Sequence, residues 1–161
     1  MKRYEYSDDF SFEKQRAQGR KREYNAGGFK CNHCKRFVVI NDSMGTANRN
    51  HCNWCLWSKH VDVAKGDRRS HCHGGMEPIG LTFKHEGYGK VGELMVIHRC
   101  SLCQKLSINR IARDDPEYMV LEIFEKSLNM NGDCKIRIQK HGIYLLGRRD
   151  AQEVSAQLFG K

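Results

Sequence analysis

Two cysteine pairs with the same internal spacing constrain this chain more than any other feature of its sequence. Cys31-x-x-Cys34 and Cys52-x-x-Cys55 are separated by seventeen residues. A CxxC turn presents two thiolates from one knuckle, and two knuckles joined by a hairpin of about fifteen to twenty residues complete the tetrahedral Cys₄ site that zinc accepts. These four cysteines therefore predict a structural zinc site. A redox role for either pair would need a βαβ context, which the pattern lacks.

A second group of three cysteines is one ligand short of another site. Cys100-x-x-Cys103 forms a third knuckle, and Cys72 is a single thiol with twenty-seven residues between it and Cys100. Because no second cysteine completes a pair with Cys72, the fourth ligand is expected to be a histidine. His98 and His60 are the two candidates.

The sequence gives a reason for each histidine. His98 lies two residues before Cys100, so that both side chains share a face if the segment is a strand. Asp62 is close enough to His60 to orient its ring as a hydrogen-bond acceptor. Both candidates stay open at this stage. With either ligand the chain is predicted to bind two Zn²⁺ ions.

A catalytic zinc at the three-cysteine site is the alternative to a structural one. Catalytic zinc keeps an open position for water, usually beside three protein ligands. No HxE or HExxH motif accompanies these cysteines. The pattern therefore favours a closed structural site, and it identifies neither a catalytic residue nor a small-molecule substrate.

Composition supports a metal-stabilised fold. Hydrophobic residues make up 39% of the chain, and its mean hydropathy of −0.71 leaves little for a large core. The N-terminus shows no apolar leader, and no run approaches the roughly 18–20 apolar residues of a membrane helix. We therefore expect a cytoplasmic protein without a membrane segment. Thiols stay reduced in that compartment, which favours metal over a disulfide scaffold.

The charge balance predicts an acidic partner. The formal net charge is +9, and a Cys₄ site together with a Cys₃His site would subtract three when each holds a divalent ion, leaving +6. Nucleic acid is the commonest partner of such a chain. We expect RNA, with ribosomal RNA as one candidate.

The chain divides into three regions. Residues 1–28 form a basic aromatic tail, expected to be disordered or extended; residues 29–115 form a two-lobe zinc-binding domain; and residues 116–161 form a small β-rich region. Strands are predicted over residues 37–40, 94–97, 118–124, 135–140 and 142–146, with a helix over 148–159. The expected fold is small, zinc-stabilised and mainly β, with two zinc-ribbon-like lobes and a small C-terminal sheet followed by a terminal helix.

Several short motifs within residues 29–115 point to one family. They are Arg49-Asn50-His51-Cys52, Cys55-Leu56, Ser58-Lys59-His60-Val61-Asp62, Gly66-Asp67-Arg68, Met76-Glu77-Pro78-Ile79-Gly80, His98-Arg99-Cys100 with Cys103, and Asn109-Arg110-Ile111-Ala112. This set resembles the bacterial RNHCP domain family. Asn53 stands where the family name has proline, a difference that affects the rigidity of the knuckle but no ligand. The resemblance implies a zinc-binding domain and assigns no function.

Donor-rich and aromatic side chains near the knuckles predict an RNA-binding surface. Arginine and asparagine contact phosphates and base edges, and an exposed indole can stack on a base. The predicted contacts are Arg20, Lys21, Arg22, Lys30, Arg49, Asn50, His51, Trp57, Arg68, Arg69 and Arg110. The alternative is structural: the tryptophans pack the lobes together, while Asp67, Asp114 and Asp115 pair with the arginines.

Three functional classes remain. The leading prediction is a zinc-binding RNA-binding protein in which zinc is structural. The first alternative is a zinc-dependent hydrolase or nucleic-acid-modifying enzyme that uses the three-cysteine site. The second is a protein–protein adaptor.

Overall fold

A computed structural model describes residues 27–45, 49–64, 66–85 and 91–160. Most of the predicted N-terminal tail, including Arg20, Lys21 and Arg22, lies outside these residues. Six strands and three helices follow in chain order: β1 (Gly28–Lys30), β2 (Phe37–Val39), β3 (Ser58–Lys59), β4 (Gly75–His85), β5 (Val91–Cys100), β6 (Leu106–Arg110), α1 (Glu117–Leu128), α2 (Gly132–Lys140) and α3 (Ala151–Phe159). In this part of the chain no helix is both long enough and apolar enough to cross a membrane.

The strands form two antiparallel sheets. A two-stranded sheet pairs β1 with β2, and a four-stranded sheet has the order β3-β4-β5-β6. Strand β5 is central and almost continuously buried from Leu94 to His98. Successive residues of a strand face opposite sides of a sheet. Val96 therefore joins one apolar cluster and Ile97 another.

The helices cover the four-stranded sheet. One cluster joins strand residues to side chains of α1 and α3, and it comprises Leu56, Leu81, Leu94, Val96, Val120, Ile123, Phe124, Leu146 and Val154. A smaller cluster packs Ile138 of α2 against Ile97 and Leu106. Helix α3 is also tied to β5, because the Gln157 side chain accepts from Leu94 N–H at 2.8 Å and donates to Gly92 O at 3.1 Å.

The predicted C-terminal sheet is wrong. Residues 118–124 lie in α1, where Val120, Ile123 and Phe124 follow the spacing of one helix face. Residues 135–140 lie in α2, and the Asn131 side chain caps that helix by accepting from Cys134 N–H at 2.8 Å. Asn131, Gly132 and Asp133 therefore begin a helix instead of preceding a strand.

The predicted strands at 37–40 and 94–97 and the predicted terminal helix agree better with the structure. Strands were expected over 37–40 and 94–97, and β2 and β5 occupy these positions. The terminal helix is present as a 3₁₀ turn at Arg148–Asp150 followed by α3. Residues 142–146 form neither a helix nor a strand, although Leu146 N–H donates to Leu81 O at 3.0 Å. The protein is therefore a mixed α/β protein rather than a mainly β one.

We expect Leu146→Ala to lower the free energy of unfolding by about 2–5 kcal/mol, because it empties a position in the main apolar cluster. Tyr144→Ala is the matched control in the same irregular segment. Tyr144 is 57% exposed, so its truncation is expected to change stability by roughly 0.5 kcal/mol or less. Denaturant unfolding of the metal-loaded protein measures both. Equal losses would show that the segment is not anchored through Leu146.

Candidate metal centres

Three CxxC knuckles share one backbone geometry. In each, the residue after the second cysteine donates its N–H to the carbonyl of the first cysteine, at 2.8–3.1 Å. The first cysteine in turn donates its N–H to the carbonyl five residues later, at 2.8–2.9 Å. The pairs that begin at Cys31, Cys52 and Cys100 all follow this pattern. Identical spacing has therefore folded three times into the same turn, with both sulfurs on one side.

The same turn requires an unusual backbone angle. The residue after each second cysteine has a positive φ: Lys35 at 64°, Leu56 at 57° and Gln104 at 64°. Side chains other than glycine rarely adopt this left-handed region, at a cost of roughly 1–2 kcal/mol each. A metal ion bound to the sulfurs would supply energy to hold these turns.

The first cluster brings together all four predicted thiols. Cys31 Sγ lies 3.7 Å from Cys55 Sγ, and Cys34 Sγ lies 3.6 Å from Cys52 Sγ. These separations exclude disulfides, whose sulfurs lie about 2 Å apart. A tetrahedron with zinc–sulfur bonds of about 2.3 Å has edges of about 3.8 Å, close to both distances. The cluster can therefore hold one metal ion.

The second cluster is completed by His60. Cys72 Sγ lies 3.6 Å from Cys100 Sγ, and His60 Nδ1 lies 3.2 Å from Cys103 Sγ. All four ligand atoms are within 4.8 Å of one another. His60 Nε2 donates to Asp62 O at 3.1 Å, which leaves Nδ1 free to bind the ion. Asp62 thus orients the ring as predicted, through its backbone carbonyl.

His98 has a different role. Its side chain is fully buried, and Nε2 donates to Leu56 O at 2.7 Å while Nδ1 accepts from the Asn109 side chain at 2.9 Å. Burial lowers the pKa of His98 to about 4, so that the ring is neutral and uses one nitrogen as donor and the other as acceptor. Neither nitrogen is left for a metal. Between the two candidates, the geometry selects His60.

The pKa values of several thiols in both clusters are shifted from their ordinary value. Burial raises the pKa of Cys52 to about 11, and burial also raises the pKa of Cys55. Burial opposes ionisation of Cys100 as well, but backbone N–H groups of Cys103 and Leu102 outweigh it and lower the pKa of that thiol to about 6. A bound divalent ion would deprotonate the thiols whose pKa is raised. The donor set therefore fits a metal, and the residues expected to hold it are those predicted from the spacing.

Arg49 and His51 form a buried latch instead of an RNA contact. Arg49 is 5% exposed and His51 is 2% exposed. His51 Nε2 lies 2.6 Å from Asp115 Oδ2, which also accepts from Ala112 N–H at 2.7 Å. Arg49 pairs with Asp114 and, at 3.3 Å, with Asp115. We call the group Arg49, His51, Asp114 and Asp115 the latch, since it joins the Cys52 knuckle to the segment before α1. The structural alternative is correct for these residues.

The other predicted RNA contacts differ in their exposure and in whether a neighbouring side chain already binds them. Asn50 is exposed but donates to Asn109 Oδ1 at 2.7 Å. Trp57 is half-buried and stacks on His33, with ring centroids 4.0 Å apart. Arg110 pairs with Glu93 at 2.8 Å. Lys30, Arg68 and Arg69 are exposed. The predicted set is therefore not one surface.

An exposed aromatic surface beside the first cluster includes Lys30 of the predicted contacts, but it also contains Arg36 and Phe37, which were not predicted, and Trp54 in place of Trp57. Trp54 is 48% exposed, and the Arg36 guanidinium lies 5.1 Å from the centre of its ring. Phe37 is the next residue after Arg36 in the chain, and its side chain is 52% exposed. We call Lys30, Arg36, Phe37 and Trp54 the Trp54 surface. The signal available in the sequence was the adjacency of Arg36 and Phe37 two residues after a knuckle.

We expect Asp115→Ala to lower the free energy of unfolding by about 3–5 kcal/mol, because it removes the acceptor of the buried His51 ring and of Ala112 N–H, together with one of the two carboxylates that pair with the buried Arg49. Glu125→Ala, on the exposed side of α1, is the control and should change stability by about 0.5 kcal/mol or less. Denaturant titration at neutral pH measures the difference. A small effect of Asp115→Ala would mean that the latch is dispensable.

Comparison with known proteins identifies the family but no characterised relative. The family model of the RNHCP domain matches residues 26–121, which is more than half of the chain and includes both metal clusters and the latch. No curated protein and no solved structure shows significant similarity. By this match the chain belongs to the RNHCP domain family.

Proposed function

We propose that this protein binds RNA through the Trp54 surface and that two zinc ions hold the fold around it. The observation that carries the proposal is the exposed indole of Trp54 with the Arg36 guanidinium over its ring. Aromatic faces that stack on bases, combined with cations that contact phosphates, are the two components of single-strand recognition.

The local charge supports an anionic partner. Residues 27–59 contain five lysines and arginines and a single acid, Asp42. A Cys₄ centre with a divalent ion subtracts two charges, and the segment then keeps a net charge of +2. Arg49 is neutralised inside the latch. The basic residues that remain available to a ligand are therefore Lys30, Lys35, Arg36 and Lys59.

Zinc is proposed as a structural ion in both clusters. Thiolates with one imidazole are ligands that zinc takes in closed tetrahedral sites. Each cluster supplies four protein ligands, and His60 closes the three-cysteine site. A hydrolase would need an open position at the metal for water. The closed donor sets therefore favour binding over catalysis, with zinc supplying stability to the turns that display Trp54.

We expect His60→Ala to reduce the zinc content of the purified protein from two ions toward one. His98→Ala is the matched control: it should leave two ions bound, although it removes the buried hydrogen bonds to Leu56 and Asn109 and lowers stability. Elemental analysis measures the stoichiometry. Loss of an ion in His98→Ala with none in His60→Ala would overturn the ligand assignment.

We expect Arg36→Glu to weaken RNA binding and to flatten its dependence on salt, because each lost phosphate contact lowers the slope of log K against log salt by about 0.9 or less. Arg137→Glu makes the same charge change on exposed α2 and should have a much smaller effect. Binding to total and ribosomal RNA over a salt series measures both. A zinc-loaded protein that binds no RNA at low salt would overturn the proposal, and equal losses in both variants would show that the Trp54 surface is not the site.

A further inference from the structure

We infer that the Trp54 surface recognises unpaired nucleotides, with a base stacked on the Trp54–Arg36 pair. This inference rests on the proposed RNA binding and specifies the form of RNA that the site accepts.

The indole is fixed in place before any ligand arrives. Trp54 Nε1 donates to Phe37 O at 3.2 Å, which sets the plane of the ring against β2. The backbone N–H of Trp54 donates to Cys52 Sγ at 3.3 Å, so the knuckle holds the residue at its other end. An aromatic side chain held at both ends loses little conformational freedom on binding a base. Trp54 is therefore oriented for stacking and is still 48% exposed.

The two-stranded sheet extends this surface. Lys30 and Phe37 are paired across β1 and β2, and side chains paired across two strands lie on the same face. Gly28 is buried under Phe37: a Cβ there would lie 2.9 Å from two carbons of the ring. The absence of a side chain at Gly28 therefore lets the Phe37 ring rest on the sheet. This face presents one further ring and one further cation next to Trp54.

The chemistry of the surface selects unpaired bases over a duplex. In a helix the base faces are covered by their neighbours, and the deep groove of A-form RNA does not admit side chains. A flat indole beside a guanidinium can stack only on a base whose face is open. Lys30 is exposed opposite Phe37 in the two-stranded sheet and can contact the phosphates of such a strand. The arrangement contains no long cationic ridge among the described residues of β1 and β2 that would follow a duplex backbone.

Binding of a short single-stranded RNA and of the same strand annealed to its complement tests the inference. We expect the zinc-loaded protein to prefer the single strand. Trp54→Ala should weaken binding of the single strand by roughly 5- to 150-fold and leave duplex binding almost unchanged. Trp54→Phe should restore part of the loss. Tyr118→Ala, which removes an aromatic ring that is 70% exposed on α1, is the control and should change neither.

Fluorescence gives a second readout that does not depend on affinity. The chain has two tryptophans, and only Trp54 is proposed to stack on a base. Single-stranded RNA should quench the emission, and Trp54→Phe should abolish the quenching while the zinc content stays at two. The Phe variant also covers the case in which the Ala variant fails to fold.

The outcomes separate this inference from the proposal on which it rests. Equal binding of single strand and duplex, or an unchanged affinity in Trp54→Ala together with a loss in Arg36→Glu, would overturn the inference and leave RNA binding by this surface intact. Absence of binding to either RNA by the zinc-loaded protein would overturn both.

Discussion

Four cysteine sulfurs that all lie within 4.8 Å of one another are arranged to hold one divalent cation, which would join the two knuckles of the first lobe. In the first cluster Cys31 Sγ and Cys55 Sγ lie 3.7 Å apart, and Cys34 Sγ and Cys52 Sγ lie 3.6 Å apart. Burial and neighbouring thiols raise the pKa of Cys52 and Cys55, which is the cost that an ion removes. A bound ion would therefore stabilise the turns around the cluster and, with them, the short β1–β2 sheet and the position of Trp54.

The two centres are connected through His98. The Cys52 knuckle ends with Leu56 N–H donating to Cys52 O, and Leu56 O accepts from the buried ring of His98. His98 lies on β5 two residues before Cys100, a ligand of the second centre. Its neutral ring uses both nitrogens within the protein. A residue that lies near a metal in sequence thus stabilises the junction between two centres while binding neither ion, as a buried and fully satisfied polar group can.

The sequence predicted the two cysteine clusters more accurately than it predicted helices α1 and α2. Spacing alone grouped the seven cysteines that the structure brings together in two clusters, because a CxxC pair has few ways to fold around one ion. It left His60 and His98 open, because sequence separation does not show which ring is already hydrogen-bonded. The apolar run at 118–124 predicts a strand because a short apolar run fits both periods, and residues 135–140 predict one because polar and apolar residues alternate there. Burial distinguishes strand from helix for residues 135–140. Ile138 is buried while Ile136 is 52% exposed, so the two isoleucines do not share one half-buried strand face.

The arginine, asparagine and histidine beside Cys52 demonstrate why residue type is a weak guide to a nucleic-acid surface. Each can contact RNA, yet Arg49 and His51 are buried against two carboxylates and Asn50 is bonded to Asn109. Burying a cation without a partner would cost several kcal/mol, on the order of 3–5, so the acids of the latch are required once Arg49 is inside. The exposed side chains that could contact RNA are Arg36 and Phe37, which follow the Cys34 knuckle, and Trp54, which lies within the Cys52 knuckle. Under the proposed function, stability and recognition would use different side chains of the same lobe, so that a substitution at Trp54 would remove the proposed stacking surface without removing a cysteine of the cluster or an ion pair of the core.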